Sequence, residues 1–381
     1  MELTRSEARS EIAEPPTRPG RFAAIYKVLQ DAIDARAFPG CAFGILQNDR
    51  SVLTDALGTF TYGDNPRSVG TDTAFDIASL TKVVSTTAIA MLLYQRGQFD
   101  LDTRLGDLLP GFVVGRSDSA LARRVTLRNL LAHNSGLPGY VEFFRTISNP
   151  AALFQACLQI PMEAEPGTRS EYSDPGFILL GKAIEMLTRE SLADTAKREI
   201  FEPLGMSATR FRPAPQDRPM IPPTEEDTSF RHRIIQGEVQ DENAWILDGV
   251  AGHAGLFSNV PDLLRFASQV LAGHRGSRSA ANSSLFASQA IELFAKRQLP
   301  AGTSCALGWD TPSPESSAGR HFSSHSIGHL AYSGCSLWID LDADIAVVLL
   351  TNRTWPDRRN QAIKQIRPAF HNAVRESLET V

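Results

Sequence analysis

The sequence predicts an α/β (α+β) chain, on three observations. Apolar and β-branched runs of strand length occur before residue 60 and again after residue 325, and helical spacing or loop chemistry fills most of what lies between. The 381 residues are also ample for a large core, enough for two structural lobes. The composition is that of an ordinary soluble globular protein: 42% hydrophobic, 21% charged, with a formal net charge of −5. That balance carries no basic footprint for nucleic acid.

Taken in order, residues 1–20 are polar and charged, carry adjacent prolines at Pro15 and Pro16, and contain no apolar signal segment. They read as a disordered tail, and a cytoplasmic location is expected. Residues 21–35 place Phe22, Ile25, Leu29 and Ile33 at helical spacing, and Phe38-Pro39-Gly40 then breaks the pattern. Residues 41–47 and 51–57 are short apolar and β-branched runs flanking Asn48-Asp49-Arg50, which reads as a hairpin.

The next stretch, Phe75-Asp76-Ile77-Ala78-Ser79-Leu80-Thr81-Lys82, organises the rest. From Ser79 onward Leu80, Val83, Val84, Ala88, Met91 and Leu92 recur at three- and four-residue steps, the period of a helix buried along one face, and Gly97 suits its C-terminal cap. Ser79 then sits at the helix start, with Lys82 on the same face about 5–6 Å away. A serine hydroxyl is a poor nucleophile until a neighbouring base takes its proton, and a lysine of lowered pKa can do so. The N–H groups of a helix start suit a developing oxyanion. Ser-x-x-Lys also arises where the serine merely caps a helix and the lysine is solvated. Here the apolar run around Lys82 makes an idle lysine costly.

Further on, Leu101, Leu105, Leu108 and Leu109 form an irregular leucine-rich segment, and Thr126 caps a brief helix carrying Leu127, Leu130 and Leu131. His133, in the Gly/Pro-rich loop that follows, is expected to stabilise the loop by hydrogen bonding. Asp174-Pro175 reads as a helix start with Ile178, Leu179, Ala183, Ile184 and Leu187 as its buried stripe. Asp174 either caps that helix or holds Lys82. Tyr172, in the loop before it, can relay a proton to or from Ser79, or be a half-buried aromatic. Residues 210–226, with five prolines, read as a surface crossing between lobes, and the glycine-rich residues 249–258 permit close backbone approach, as at the lining of a site. His253 is expected to be structural, and a helix follows over 261–271.

Residues 326–340 and 345–350 read as two strands joined by a short acidic turn. The longest apolar run there is too short for the ~18–20 residues of a bilayer span, so no membrane partner is expected. His321, His325 and His329 are four apart, a metal-ligand spacing on a helix, but the intervening serines and the strand pattern argue against a helix. No metal site is expected. Cys41, Cys157, Cys305 and Cys335 form no Cys-x-x-Cys pair and read as free thiols. Residues 360–378 form a last amphipathic helix interrupted by Pro368.

Ser79-Leu80-Thr81-Lys82, Tyr172-Ser173-Asp174 and His329-Leu330-Ala331, in that order and at those separations, resemble the three motifs of the serine β-lactamase and penicillin-binding-protein superfamily. The class C-like branch, with its D-alanyl-D-alanine carboxypeptidases, esterases and acyltransferases, is the closer match; its second motif is Tyr-x-Asn or Tyr-Ser-Asp and its third Lys-Thr-Gly or His-x-Gly. The phrases at 130–138, 249–258 and 336–340 are similar to that family too, so the resemblance spans roughly residues 21–375.

The resemblance implies an antiparallel sheet flanked by helices on both faces, built from residues 21–75 and 240–381, with a mainly helical lobe of residues 76–239 inserted and a cleft between them. It implies that Ser79 is acylated, that Lys82 and Tyr172 exchange its proton, and that the N–H groups of Ser79 and Tyr332 form the oxyanion hole. His329 takes the third-motif position beside the substrate, with Asp174 and Tyr332 in the binding site. No cofactor is implied. The function implied is hydrolysis of a small ester, amide or lactam through an acyl-enzyme; acyl transfer to a metabolite alcohol or amine, and a non-catalytic binding protein, are the alternatives. The third motif departs from the family: Leu330 and Ala331 stand where Thr or Ser and then Gly are usual. A hydroxyl that helps hold a substrate carboxylate is missing.

Overall fold

The computed structural model describes residues 20–276 and 284–379. Of the disordered tail expected at residues 1–20, residues 1–19 lie outside the described residues. The chain enters through helix α1 (Ala23–Asp34) and then forms strands β1 (Gly40–Gln47) and β2 (Arg50–Gly58). Gln47 pairs with Arg50, so the hairpin loop is Asn48-Asp49, both at positive φ (51° and 59°). That is the turn whose twist matches paired strands, and Asn and Asp tolerate it best after glycine.

Strand β3 (Phe75–Asp76) leads directly into the Ser79 region. In place of one regular helix, a 3₁₀ turn over Ala78–Leu80 is followed by a π-helical stretch over Lys82–Thr87 and only then by α2 (Ala88–Gln95). The expected one-sided burial is also corrected, since every residue from Lys82 to Leu93 is buried. A helix enclosed on all sides needs no polar face, and a π-helical stretch inside a helix is found frequently at functional sites. Gly97, at φ 69°, ends it as expected, with the Gln98 N–H returning to the Leu93 carbonyl.

A short helix α3 (Leu127–Leu131), capped by Thr126 in a capping box with Asn129, precedes α4 (Asp174–Thr188). The residue capping α4 is Ser173, whose Oγ accepts from the Gly176 N–H at 3.1 Å, and Asp174 is the first helical residue. Its carboxylate is thereby released for another partner. Strand β4 (Arg210–Phe211) opens the proline-rich segment, which does not simply cross the surface. Residues 221–225 are buried, and Glu225–Asp227 pairs with Arg233–Ile235.

Helix α5 (Glu242–Ile246), strand β5 (Leu256–Ser258) and helix α6 (Val260–His274) follow. β5 is the middle of a small sheet of order β3-β5-β4. The C-terminal part supplies β6 (Ser326–Leu330), β7 (Ser336–Asp340), β8 (Ile345–Thr351) and α7 (Ile363–Glu379). The single strand expected over 326–340 is therefore two. Residues 331–335 reverse the chain through Gly334 at φ 101°, with the Ala331 N–H bonded to the Cys335 carbonyl at 2.8 Å. Helix α7 runs unbroken through Pro368.

The main sheet is antiparallel with order β2-β1-β8-β7-β6. Its faces separate by the two-residue period of a strand. Cys41, Phe43, Ile45, Val347 and Leu349 pack with Ile25, Leu29, Phe370 and Val374 from α1 and α7, whereas Ala42, Leu46, Ala346, Val348 and Leu350 join the core containing α6 and α2. Gly44 on that second face allows α6 to sit close, since a Cβ there would lie 2.5 Å from Val260 Cγ1. With both faces covered, 345–350 reads as an unbroken apolar run instead of an alternating one. Among the described residues no helix is long and apolar enough to cross a membrane.

Candidate active site

Ser79 lies on the 3₁₀ turn between the buried β3 and the π-helical stretch, and is partly solvent-accessible. The residue before it, Ala78, has φ 42°, a conformation that L-residues other than glycine rarely adopt. Lys82, one tight turn on, is fully buried; its Nζ donates to Ser79 Oγ at 3.3 Å, to Asp174 Oδ1 at 2.7 Å and to the His253 carbonyl at 3.2 Å. Sequence reasoning singled out Ser79, Lys82 and Asp174, and the structure brings them together. Of the two readings the sequence left open for Asp174, helix cap or partner of Lys82, the structure has the second.

Tyr172 closes the group. Its ring stands 4.6 Å from Lys82 Nζ and the residue is 44% exposed, while its phenol end interacts with Lys82 and Ser79. Burial of that end pushes the phenol above its ordinary range, the Lys82 charge opposes this, and Asp174 adds to it. Burial alone would lower the Lys82 amine, but the charges of Asp174 and Tyr172 and their hydrogen bonds outweigh it and raise the amine above 10.5. Lys82 therefore rests as an ammonium.

His133 and His253 hold this group from behind. The Ser173 N–H donates to His133 Nδ1 at 2.9 Å, and the His133 ring stacks on Phe177 (4.9 Å) and lies tilted against Tyr172 (4.6 Å), which makes it the loop-stabilising histidine the sequence suggested. Burial drives it well below its ordinary pKa, so it stays neutral. His253 pairs through Nε2 with Asp241 Oδ1 at 2.9 Å, and its carbonyl reaches Lys82 because Gly252 packs against α4. A Cβ on Gly252 would fall 2.0 Å from the Phe177 carbonyl oxygen. The glycine-rich spelling of 249–258 carried that close approach. The role of the His253 carbonyl had no signal, since backbone atoms are common to every residue.

On the opposite side, His329 on edge strand β6 lies 5.8 Å from the Tyr172 ring. Its Nδ1 donates to the Leu330 carbonyl at 2.7 Å, which leaves Nε2 as a lone-pair acceptor. Burial and then the Lys82 charge bring its pKa down to about 3, so it is uncharged at neutral pH. Tyr332, at the tip of the 331–335 turn, is 49% exposed. Arg353 and Arg358 lie 4.4 and 5.7 Å from its ring. His321 and His325 do not join this site; they pair with Glu376 and Asp342.

A partly accessible serine beside a buried lysine and an inward tyrosine, between a helix-covered antiparallel sheet and a mainly helical part, defines the serine β-lactamase and penicillin-binding-protein architecture. The chain belongs to the beta-lactamase family, whose family model matches residues 25–369. It is 30% identical over 351 residues to an N-acetylmuramyl-L-alanine amidase of Bacillus subtilis (strain 168), covering 84% of this chain and 78% of that protein. A Salmonella typhi protein provisionally assigned as a D-alanyl-D-alanine carboxypeptidase is 27% identical over 355 residues, covering 85% and 81%. The fold is shared with a hydrolase with promiscuous acyltransferase activity (TM-score 0.71, 20% identity, 92% and 98% covered). It is shared too with a penicillin-binding-protein homologue from Caulobacter crescentus (TM-score 0.72, 18% identity, 94% and 98% covered).

The Lys82–Asp174 contact has a testable consequence. In an Asp174→Asn variant the charge that raises Lys82 is gone and burial dominates, so the amine pKa falls. A base must be unprotonated to act, so the rate rises with pH through that pKa, and the rising limb of the pH–rate profile moves to lower pH. Ester turnover between pH 6 and 11 measures it; an unmoved limb means that Lys82 does not set the limb.

Proposed function

We propose that this protein is a serine hydrolase that cleaves an ester or amide of a small molecule through an acyl-enzyme on Ser79. The observation that carries this reading is the 3.3 Å contact between Ser79 Oγ and the fully buried Lys82 amine, with the Tyr172 ring 4.6 Å from the same amine. Ser79 Oγ attacks the carbonyl carbon in the cleft between the sheet part and the helical part. Its proton passes into the Lys82–Tyr172 pair, and the same pair returns a proton to the leaving group. Because Lys82 rests as an ammonium, a proton first shifts within the Lys82–Asp174–Tyr172 group to free a base. The N–H groups of Ser79 and Tyr332 receive the oxyanion. Water then attacks the ester of Ser79, and the acid is released.

Transfer to an alcohol or amine uses the same acyl-enzyme, and the shared fold with a hydrolase of promiscuous acyltransferase activity favours testing it. No cofactor enters either route. The unpaired cysteines, three of them buried, suit the reducing cytoplasm.

Intact-mass analysis after exposure to a fluorophosphonate tests the reading. One adduct is expected, mapped to Ser79 and absent from Ser79→Ala; an adduct on another residue, or none, sinks it. With an ester substrate, an added alcohol that captures the acyl group faster than water does identifies the transferase. Any covalent adduct on Ser79 rules out a non-catalytic binding protein.

A further inference from the structure

Asp76 is a buried carboxylate that the proposed acylation does not use. It is 2% exposed, three residues before Ser79, at the end of β3. No ion pair reaches it among the described residues; both its oxygens are taken by backbone N–H groups. Oδ1 accepts from Ala78 at 2.8 Å and Oδ2 from Gln240 at 2.7 Å. A carboxylate enclosed without a cation is a poor choice for stability, because burial penalises its charged form.

The two bonds have different ends. Ala78 is the residue at φ 42° whose backbone aims Ser79, and a side-chain oxygen bonding two residues on is how aspartate holds such a turn. Gln240 precedes Asp241, which holds His253, whose carbonyl holds Lys82. One carboxylate thus ties the turn that carries the nucleophile to the segment that fixes the lysine. We propose that Asp76 is a positioning residue for acylation, holding the Ala78–Ser79 turn in register with the Gln240–His253 segment behind Lys82. This rests on the acyl-enzyme reading of Ser79.

Proton occupancy supplies a readout. Burial pushes the Asp76 carboxyl up to about 6; the Gln240 and Ala78 N–H groups oppose it, the Asp241 charge adds to it, and the Arg231 charge lowers it. Below pH 6 one oxygen becomes a hydroxyl facing an N–H donor, and that bond is lost. The acylation rate then falls as pH drops through about 6.

The experiment measures kcat and KM for a nitrophenyl ester, per fluorophosphonate-titrated Ser79, in wild type, Asp76→Asn, Ala78→Gly and the double variant. In Asp76→Asn, kcat is expected to fall about tenfold or more, the scale of a slightly misplaced reacting group, with KM within about threefold. The limb near pH 6 should disappear. Glycine takes positive φ without strain, so Ala78→Gly in the Asp76→Asn background should recover several-fold in kcat. The double variant also carries the measurement if Asp76→Asn folds poorly. A kcat per labelled site within about threefold of wild type in Asp76→Asn, or in the double variant if only that folds, overturns the proposal whatever the thermal midpoint. A wild type that no fluorophosphonate labels overturns the acyl-enzyme reading itself.

Discussion

Lys82→Ala and Tyr172→Phe each lower turnover by ~10²–10⁴-fold, the scale of losing a positioned acid–base group. The two effects do not add in the double variant. Lys82 Nζ contacts Ser79 Oγ at 3.3 Å, and the Tyr172 phenol interacts with both, so on the proposed mechanism the two side chains lie on one proton path and removing either interrupts it. Steady-state ester turnover, with circular dichroism and the thermal midpoint as the check on folding, measures all three variants. A merely packing role for Tyr172 gives a different outcome: its ring faces His133 and His329 and covers the Lys82 amine, contacts that phenylalanine keeps. Near-wild-type turnover in Tyr172→Phe beside an inactive Lys82→Ala would therefore leave Lys82 as the sole base.

Much of this site was legible because its groups are announced by type and spacing. Ser79 and Lys82 are three apart, and the step from the 3₁₀ turn into the first residue of the π-helical stretch still brings a separation of three together, as an α-helix does. The unexpected helix type therefore did not disturb the pair. The hairpin at 48–49 and the caps at Thr126 and Gly97 were readable for the same reason: each depends on a local backbone preference of one or two residues. What the sequence hid is non-local or made of backbone. Asp174 was left between two roles because Asp-Pro commonly opens helices, and the fold decides it, with Ser173 capping and Lys82 approaching from 92 positions away. The reversal at 331–335 was missed because strand-forming residues run on either side of Tyr332-Ser333-Gly334. The acidic residues at 340–344 gave the stronger turn signal. The raised pKa of Lys82 reverses the lowering that a sequence-based base mechanism calls for, since burial and counter-ion are both tertiary properties.

Uncharged short esters are turned over in preference to β-lactams, whose carboxylate this site is poorly furnished to hold. Four positions decide it. Leu330 stands where the resemblance places a hydroxyl, and a lost hydrogen bond to a charged group is worth roughly 1.5–3 kcal/mol, or about ten- to a hundredfold in specificity. His329, in the place of a cation, is neutral above about pH 3 and presents a lone pair from Nε2, which repels a carboxylate and accepts from a donor. The arginines near Tyr332 are committed elsewhere. Arg353 donates to the carbonyls of Tyr332 at 2.7 Å and Asn360 at 2.9 Å, and Arg358 to Glu225 at 2.7 Å and Glu242 at 2.9 Å. The comparison is kcat/KM for a chromogenic cephalosporin against a nitrophenyl ester, in wild type and in Leu330→Thr. The substitution should raise the cephalosporin value selectively, and because His329 stays neutral the gain should be independent of pH between 6 and 8. A wild type that already hydrolyses the cephalosporin more efficiently than the ester would mean that other residues hold the carboxylate, with Arg358 released from its glutamates as the first to test.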